Sequence, residues 1–85
     1  MSKFTLNRFI EVYADALNTE KMIAIVPRYE NREYCAEIAQ KMTNTVKADE
    51  YPSDWLKYNP AMKAAAKFFG IKTSKQFREI IKQSA

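Results

Sequence analysis

Residues 63–83 read KAAAKFFGIKTSKQFREIIKQ, two apolar-striped segments that meet at Gly70, the only glycine in the chain. Glycine tolerates the left-handed backbone that closes a helix, so this position predicts a helix stop between two helices. The first of them has an equally sharp start. Asn59 caps well, and Pro60 suits the first helical position, where a backbone N–H would have no partner. Met62, Ala65, Ala66 and Phe69 then fall in register. The second helix starts at Thr73, and Gln76 three residues on makes Thr73-Ser74-Lys75-Gln76 a capping-box match. Phe77, Ile80 and Ile81 form its apolar stripe, while Lys75, Arg78 and Lys82 form a basic ridge on another face.

Two more stripes repeat at helical spacing. Leu6, Phe9, Ile10, Tyr13, Ala16 and Leu17 mark a helix that Thr5 caps and Asn18-Thr19 stops. Tyr34, Cys35, Ile38, Ala39 and Met42 mark a second, over about 31–43, followed by a loop through NTVKADEYPSD. Residues 20–29, EKMIAIVPRY, fit two readings: a strand pairing with TVKA at 45–48 in a minor two-stranded ribbon, or a short helix ending before Pro27. The fold class this implies is all-α, a compact bundle of four to five short helices closed by a C-terminal helical hairpin. At 85 residues there is room for a single domain, 1–85, with one modest core.

Several function classes fall away. Histidine is absent, so a Cys–His nucleophile or a Ser–His–Asp triad cannot be built from this chain, and the commonest metal ligand is missing. The lone Cys35 can form no internal disulfide and reads as a small buried hydrophobe. Asp49, Glu50 and Asp54 are close in sequence but lack the glycine and ligand spacing of a calcium loop. Glu11 and Asp15 share a helix face without the marks of a cleft. No enzyme, cofactor or metal site is expected. The longest apolar run, Met22–Val26, is too short to span a bilayer, which makes the cytoplasm the default location and a membrane partner unexpected.

Charge is placed unevenly. Residues 1–56 carry seven Lys/Arg against nine Asp/Glu, whereas residues 57–85 carry seven against Glu79 alone. Such a basic end suits an anionic partner, or simply a solvated lysine-rich face. The aromatics Tyr51, Trp55 and Tyr58 read either as a stacking or anchoring platform or, with Trp55 as a plug, as part of the core.

Ala66, Gly70 four residues later, and Ile71 directly after resemble the helix–turn–helix of bacterial and phage DNA-binding proteins, which needs a small residue at the helix contact, a turn glycine and an aliphatic plug. The family's next buried aliphatics should come five and eight residues after the plug. Here those places hold Gln76 and Glu79, and Phe77 and Ile80 come one place late. The turn also resembles that of helix–extended-loop–helix DNA-binding units, with a shorter loop. The resemblance implies a small regulator or accessory factor that binds DNA through Lys63, Lys67, Lys72, Thr73, Ser74, Lys75, Arg78 and Lys82. Lys75 or Arg78 would contact guanine or phosphate, and Thr73 and Ser74 phosphate at the helix start. The alternative is a protein-interaction module or inhibitor that binds a protein partner through aromatics and charge, with no nucleic acid. The sequence leaves the partner and the oligomeric state open.

Overall fold

The first helix, α1 (Leu6–Leu17), starts as expected: the Thr5 hydroxyl accepts the Arg8 N–H at 3.1 Å. Its stripe buries Phe9, Tyr13 and Leu17 and leaves Leu6, Ile10 and Ala16 half-buried. Asn18 ends it and then does a second job. Its side-chain amide donates to the carbonyls of Tyr29 at 2.7 Å and Glu30 at 3.2 Å, tying the end of α1 to a turn eleven residues on.

A computed structural model describes residues 4–48 and 59–83 of the chain. Within those residues the chain is an all-α, compact bundle of five short helices, with no strand. The short-helix reading of residues 20–29 holds and the ribbon does not. Thr19 caps α2 (Glu20–Ile25), and Pro27 then opens a 3₁₀ turn, Pro27–Glu30. The supposed partner strand at 45–48 is helical as far as Lys47, because α3 (Arg32–Lys47) runs beyond Thr43 and buries Thr43 and Val46. Thr45 keeps its hydroxyl satisfied within the helix by donating to the Lys41 carbonyl at 2.9 Å. Tertiary burial at Thr43 and Val46 outweighs the modest helix aversion of β-branched residues.

The C-terminal pair is α4 (Pro60–Phe68) and α5 (Ser74–Gln83). Asn59 is more than a cap. Its side-chain Oδ1 accepts the Met62 N–H at 3.1 Å, and its side-chain Nδ2 donates to the Tyr13 hydroxyl oxygen at 2.9 Å. Tyr13 is 1% exposed, and this bond brings its buried phenol oxygen a donor from outside α1. Tyr51, Trp55, Tyr58, Asp49, Glu50 and Asp54 lie outside the described residues.

Helix α1 is the centre of the bundle, flanked by α3 and α4. The core joins Phe9, Tyr13 and Leu17 with Cys35, Ala39 and Val46 of α3, Met62, Ala65 and Ala66 of α4, and Phe77 and Ile81 of α5. Its densest part is aromatic and lies toward the C-terminal pair. Phe9 stands 4.7 Å from Phe77, 5.7 Å from Phe4 and 6.1 Å from Phe69, centroid to centroid, and Phe4 meets Phe69 edge-on at 5.2 Å. Ala61, Ala65 and Ala66 are buried on the core face of α4.

Thr43 is fully buried, and among the described residues its hydroxyl finds no hydrogen-bond partner. An unpaired buried hydroxyl loses its hydration without compensation. Thr43→Val keeps the shape and removes the polar atom, and should raise stability by about 1 kcal/mol, read as a higher urea midpoint with an unchanged slope. Phe9→Ala should lower stability by about 3–5 kcal/mol in the same titration. A loss below ~1 kcal/mol would mean that the rings do not pack round Phe9 as described.

Candidate functional site

Gly70 takes φ 74°, in the left-handed region. The Ile71 N–H donates to the Ala66 carbonyl at 2.9 Å and the Gly70 N–H donates to the Lys67 carbonyl at 3.0 Å. This pair of bonds, with Ala66 and Ile71 both buried, is a Schellman helix end. Ala66, Gly70 and Ile71 are also the residues that carry the helix–turn–helix resemblance. Closing α4 is a sufficient reason for all of them.

The start of α5 differs in detail from a capping box. The Thr73 hydroxyl accepts the Gln76 N–H at 3.1 Å, as an N-cap should. The Gln76 side chain, however, reaches past Thr73 and accepts the Lys72 N–H at 3.0 Å. The turn is thereby stitched from both sides, and Gln76 is occupied in holding it. Helix α5 then leans on α3, and its Phe77 reaches Phe9 of α1.

The expected binding residues divide into groups. Lys63 and Lys67, on the outer side of α4, and Lys72, in the turn, line one cleft of about 250 Å³ floored by Ala66 and Ile71. Lys75 and Lys82 are exposed on α5 and are not among the residues lining that cleft. Thr73 is exposed and Ser74 half-buried. Arg78 departs from expectation: it is half-buried, its Nε is shielded from solvent, and it is already engaged within the fold. The cause is its place between the buried Phe77 and Ile81, which brings the inner part of its long side chain against the bundle. Glu79 is exposed on the same helix and breaks the positive field there.

Outside the buried stripes lies a second, exposed repeat. Pro60, Ala64 and Phe68 recur every fourth residue on the outer side of α4, all exposed. Phe68 is 47% exposed and Ile25, at the end of α2, is 65% exposed. The Phe68 ring is nevertheless held, with the Arg8 guanidinium 5.8 Å above it and Phe69 edge-on at 5.0 Å. Beside this strip runs a groove of about 300 Å³ between α2 and α4, lined by Ala16, Thr19, Lys21, Met22, Pro60, Ala61 and Ala64. The signal was present as a second apolar repeat displaced from Met62, Ala65, Ala66 and Phe69. Alanine is too small to stand out in it.

A separate hollow of about 370 Å³ lies between α1 and α3, with Glu11, Asp15, Asn18, Arg32 and Cys35 on its walls. The two acids therefore do border a recess, contrary to expectation. Cys35 is buried, as expected, and its thiol donates to the Tyr29 carbonyl at 3.0 Å. Burial pushes that thiol above its ordinary pKa, with Asn18 and Arg32 opposing, so the inert thiol form prevails. Folding holds this proton more tightly. The stability it contributes is present below the ordinary thiol range and is lost as pH rises through the folded value. Among the described residues no three His, Cys, Asp or Glu side chains stand together as a metal site, and no helix is long and apolar enough to cross a membrane.

Compared with protein-family models, with curated proteins and with solved structures, the chain finds no match. Functional assignment therefore rests on the residues themselves.

Because the Schellman end requires a positive φ, Gly70→Ala should lower stability by about 1–2 kcal/mol, measured by urea denaturation. A change below ~0.5 kcal/mol would show that the turn adopts another geometry.

Proposed function

We propose that this chain is a protein-interaction module whose working face is the outer side of α4. The observation that carries this reading is the exposed strip of Pro60, Ala64 and Phe68, continuous with the apolar groove against α2. A surface that docks on the phosphates of a duplex is more polar and more strongly basic than a protein-docking one. This face is apolar along one flank and basic along the other, the usual composition of a protein-docking patch with an aromatic anchor and a charged rim. Phe68 is already held by Arg8 and Phe69, so little side-chain freedom is lost when it is covered.

A second reading, nucleic-acid binding through the C-terminal hairpin, is supported by the meeting of Lys63, Lys67 and Lys72 round one cleft. It is the weaker one, because Arg78 and Gln76 are engaged within the fold and the residues of the resemblance serve as a helix stop.

The experiment places a photo-crosslinking residue at position 64 and, as a control, at exposed Asn7, in the cells that make the protein. A discrete adduct from position 64 alone, resistant to nuclease and digested by protease, is the expected result. In parallel, random-sequence duplex and single-stranded DNA are titrated at low salt by fluorescence anisotropy. Saturable binding that survives Phe68→Ala, is abolished by K63Q/K67Q/K72Q and has a log–log salt slope near 0.9 per phosphate contact would overturn the reading in favour of nucleic acid.

A further inference from the structure

Resting on the reading of α4 as a docking face, we infer that its partner presents an acidic amphipathic helix. The charge pattern comes first. Helix α4, PAMKAAAKF, carries no acid, and Lys63 and Lys67 line its outer side on one flank with Lys72 across the cleft. On the other flank, Lys21 stands on the wall of the apolar groove. The strip of Pro60, Ala64 and Phe68 thus runs between lysines on both sides. Its complement is an apolar stripe bordered by carboxylates, which gives such a pair its orientation and speeds encounter.

The shape of the face selects a helix. A helix surface has no free backbone edge, so strand addition is not available to a partner here. Residues four apart on α4 form a ridge, and the rows of a second helix can straddle that ridge and fill the grooves beside it. The groove of about 300 Å³ lies at the lower end of ligand-pocket size and is walled by Ala16, Met22, Pro60, Ala61 and Ala64. That suits one large apolar side chain better than a cofactor. Nucleic acid would satisfy the lysines but leave the groove unfilled, and Arg8 already occupies one side of the Phe68 ring on which a base would stack. With so short a helix supplying the ridge, the contact belongs to the small, transient class.

The probes are two synthetic helical peptides of about 15 residues, long enough to hold a helix, with the same Leu and Trp stripe. One carries Glu along both borders of the stripe, the other Lys. Each is titrated into isotope-labelled protein and followed by backbone amide shifts. The Glu peptide should shift amides of residues 61–68 and of Lys21 and Met22. It should bind roughly tenfold more tightly than the Lys peptide and weaken as salt is added. Ala64→Glu and, separately, K63Q/K67Q/K72Q should each weaken it by about tenfold while the circular dichroism spectrum stays unchanged. These substitutions are all on exposed residues, so the fold should survive them.

Equal affinity for the two peptides, shifts confined to the hollow between α1 and α3, or no shift at all would overturn the inference. If position 64 still crosslinks to a protein in that event, the docking face stands and only the partner's chemistry is wrong. If random-sequence DNA displaces the Glu peptide from residues 61–68, both readings fall together.

Discussion

The fold hangs on the ring of Phe9. It lies within aromatic contact of Phe4 before α1, Tyr13 one turn on, Phe69 at the end of α4 and Phe77 in α5. Segments far apart in the chain therefore meet at one side chain. So short a chain has a small core and little apolar surface to spare, and grouping the rings at one point gives that core its largest buried bodies. The position of Phe9 also accounts for the central place of α1. A helix that offers Phe9 to the C-terminal pair and Leu17 toward the other end must lie between its neighbours, with α3 on one flank and α4 on another.

Where the sequence was legible, the reason was redundancy. α1 and α4 each carry a cap, a stripe and a stop, and Thr5, Asn59 and Gly70 all perform the tasks their types suggest. Legibility failed where a residue's role depended on a distant partner. Val46 looks like part of a loop until the core closes over it, and β-branching together with Pro27 argued for a strand that does not form. Asn18 could be read as a stop, but its grip on the Tyr29 and Glu30 carbonyls joins positions whose nearness is set by the path of α2 and the 3₁₀ turn. Among candidate site residues, the grouping of Lys63 and Lys67 follows from helical spacing, and Lys72 joins them only because the Schellman turn folds the chain back. For Arg78, a helical wheel gives the direction of the side chain but not the depth to which a long side chain is drawn.

In the C-terminal hairpin, the residues that carry the helix–turn–helix resemblance also close α4, whatever else they do. A small residue, a glycine four places on and an aliphatic after it describe any helix that ends in a left-handed turn with a buried residue behind it. Such turns end helices of every kind, so the pattern is not particular to DNA-binding hairpins. The surface round it carries more information. On the proposed reading, an apolar ridge beside lysines sets a requirement on a partner that a list of basic residues does not convey.

The double engagement of Asn59 has a bearing on chemical ageing. Asparagine side chains deamidate when the next residue's backbone nitrogen attacks the side-chain carbonyl and closes a succinimide ring. At this position the following nitrogen belongs to Pro60, which has no N–H to give up. The residue that starts α4 while holding the Tyr13 phenol is thus followed by the one residue type that blocks this route. Hydrolysis of the side-chain amide to a carboxylate would release that nitrogen as ammonia and remove the donor to Tyr13. The proline that sets the first turn of α4 thereby also protects, over the lifetime of the molecule, the hydrogen bond that joins this helix to α1.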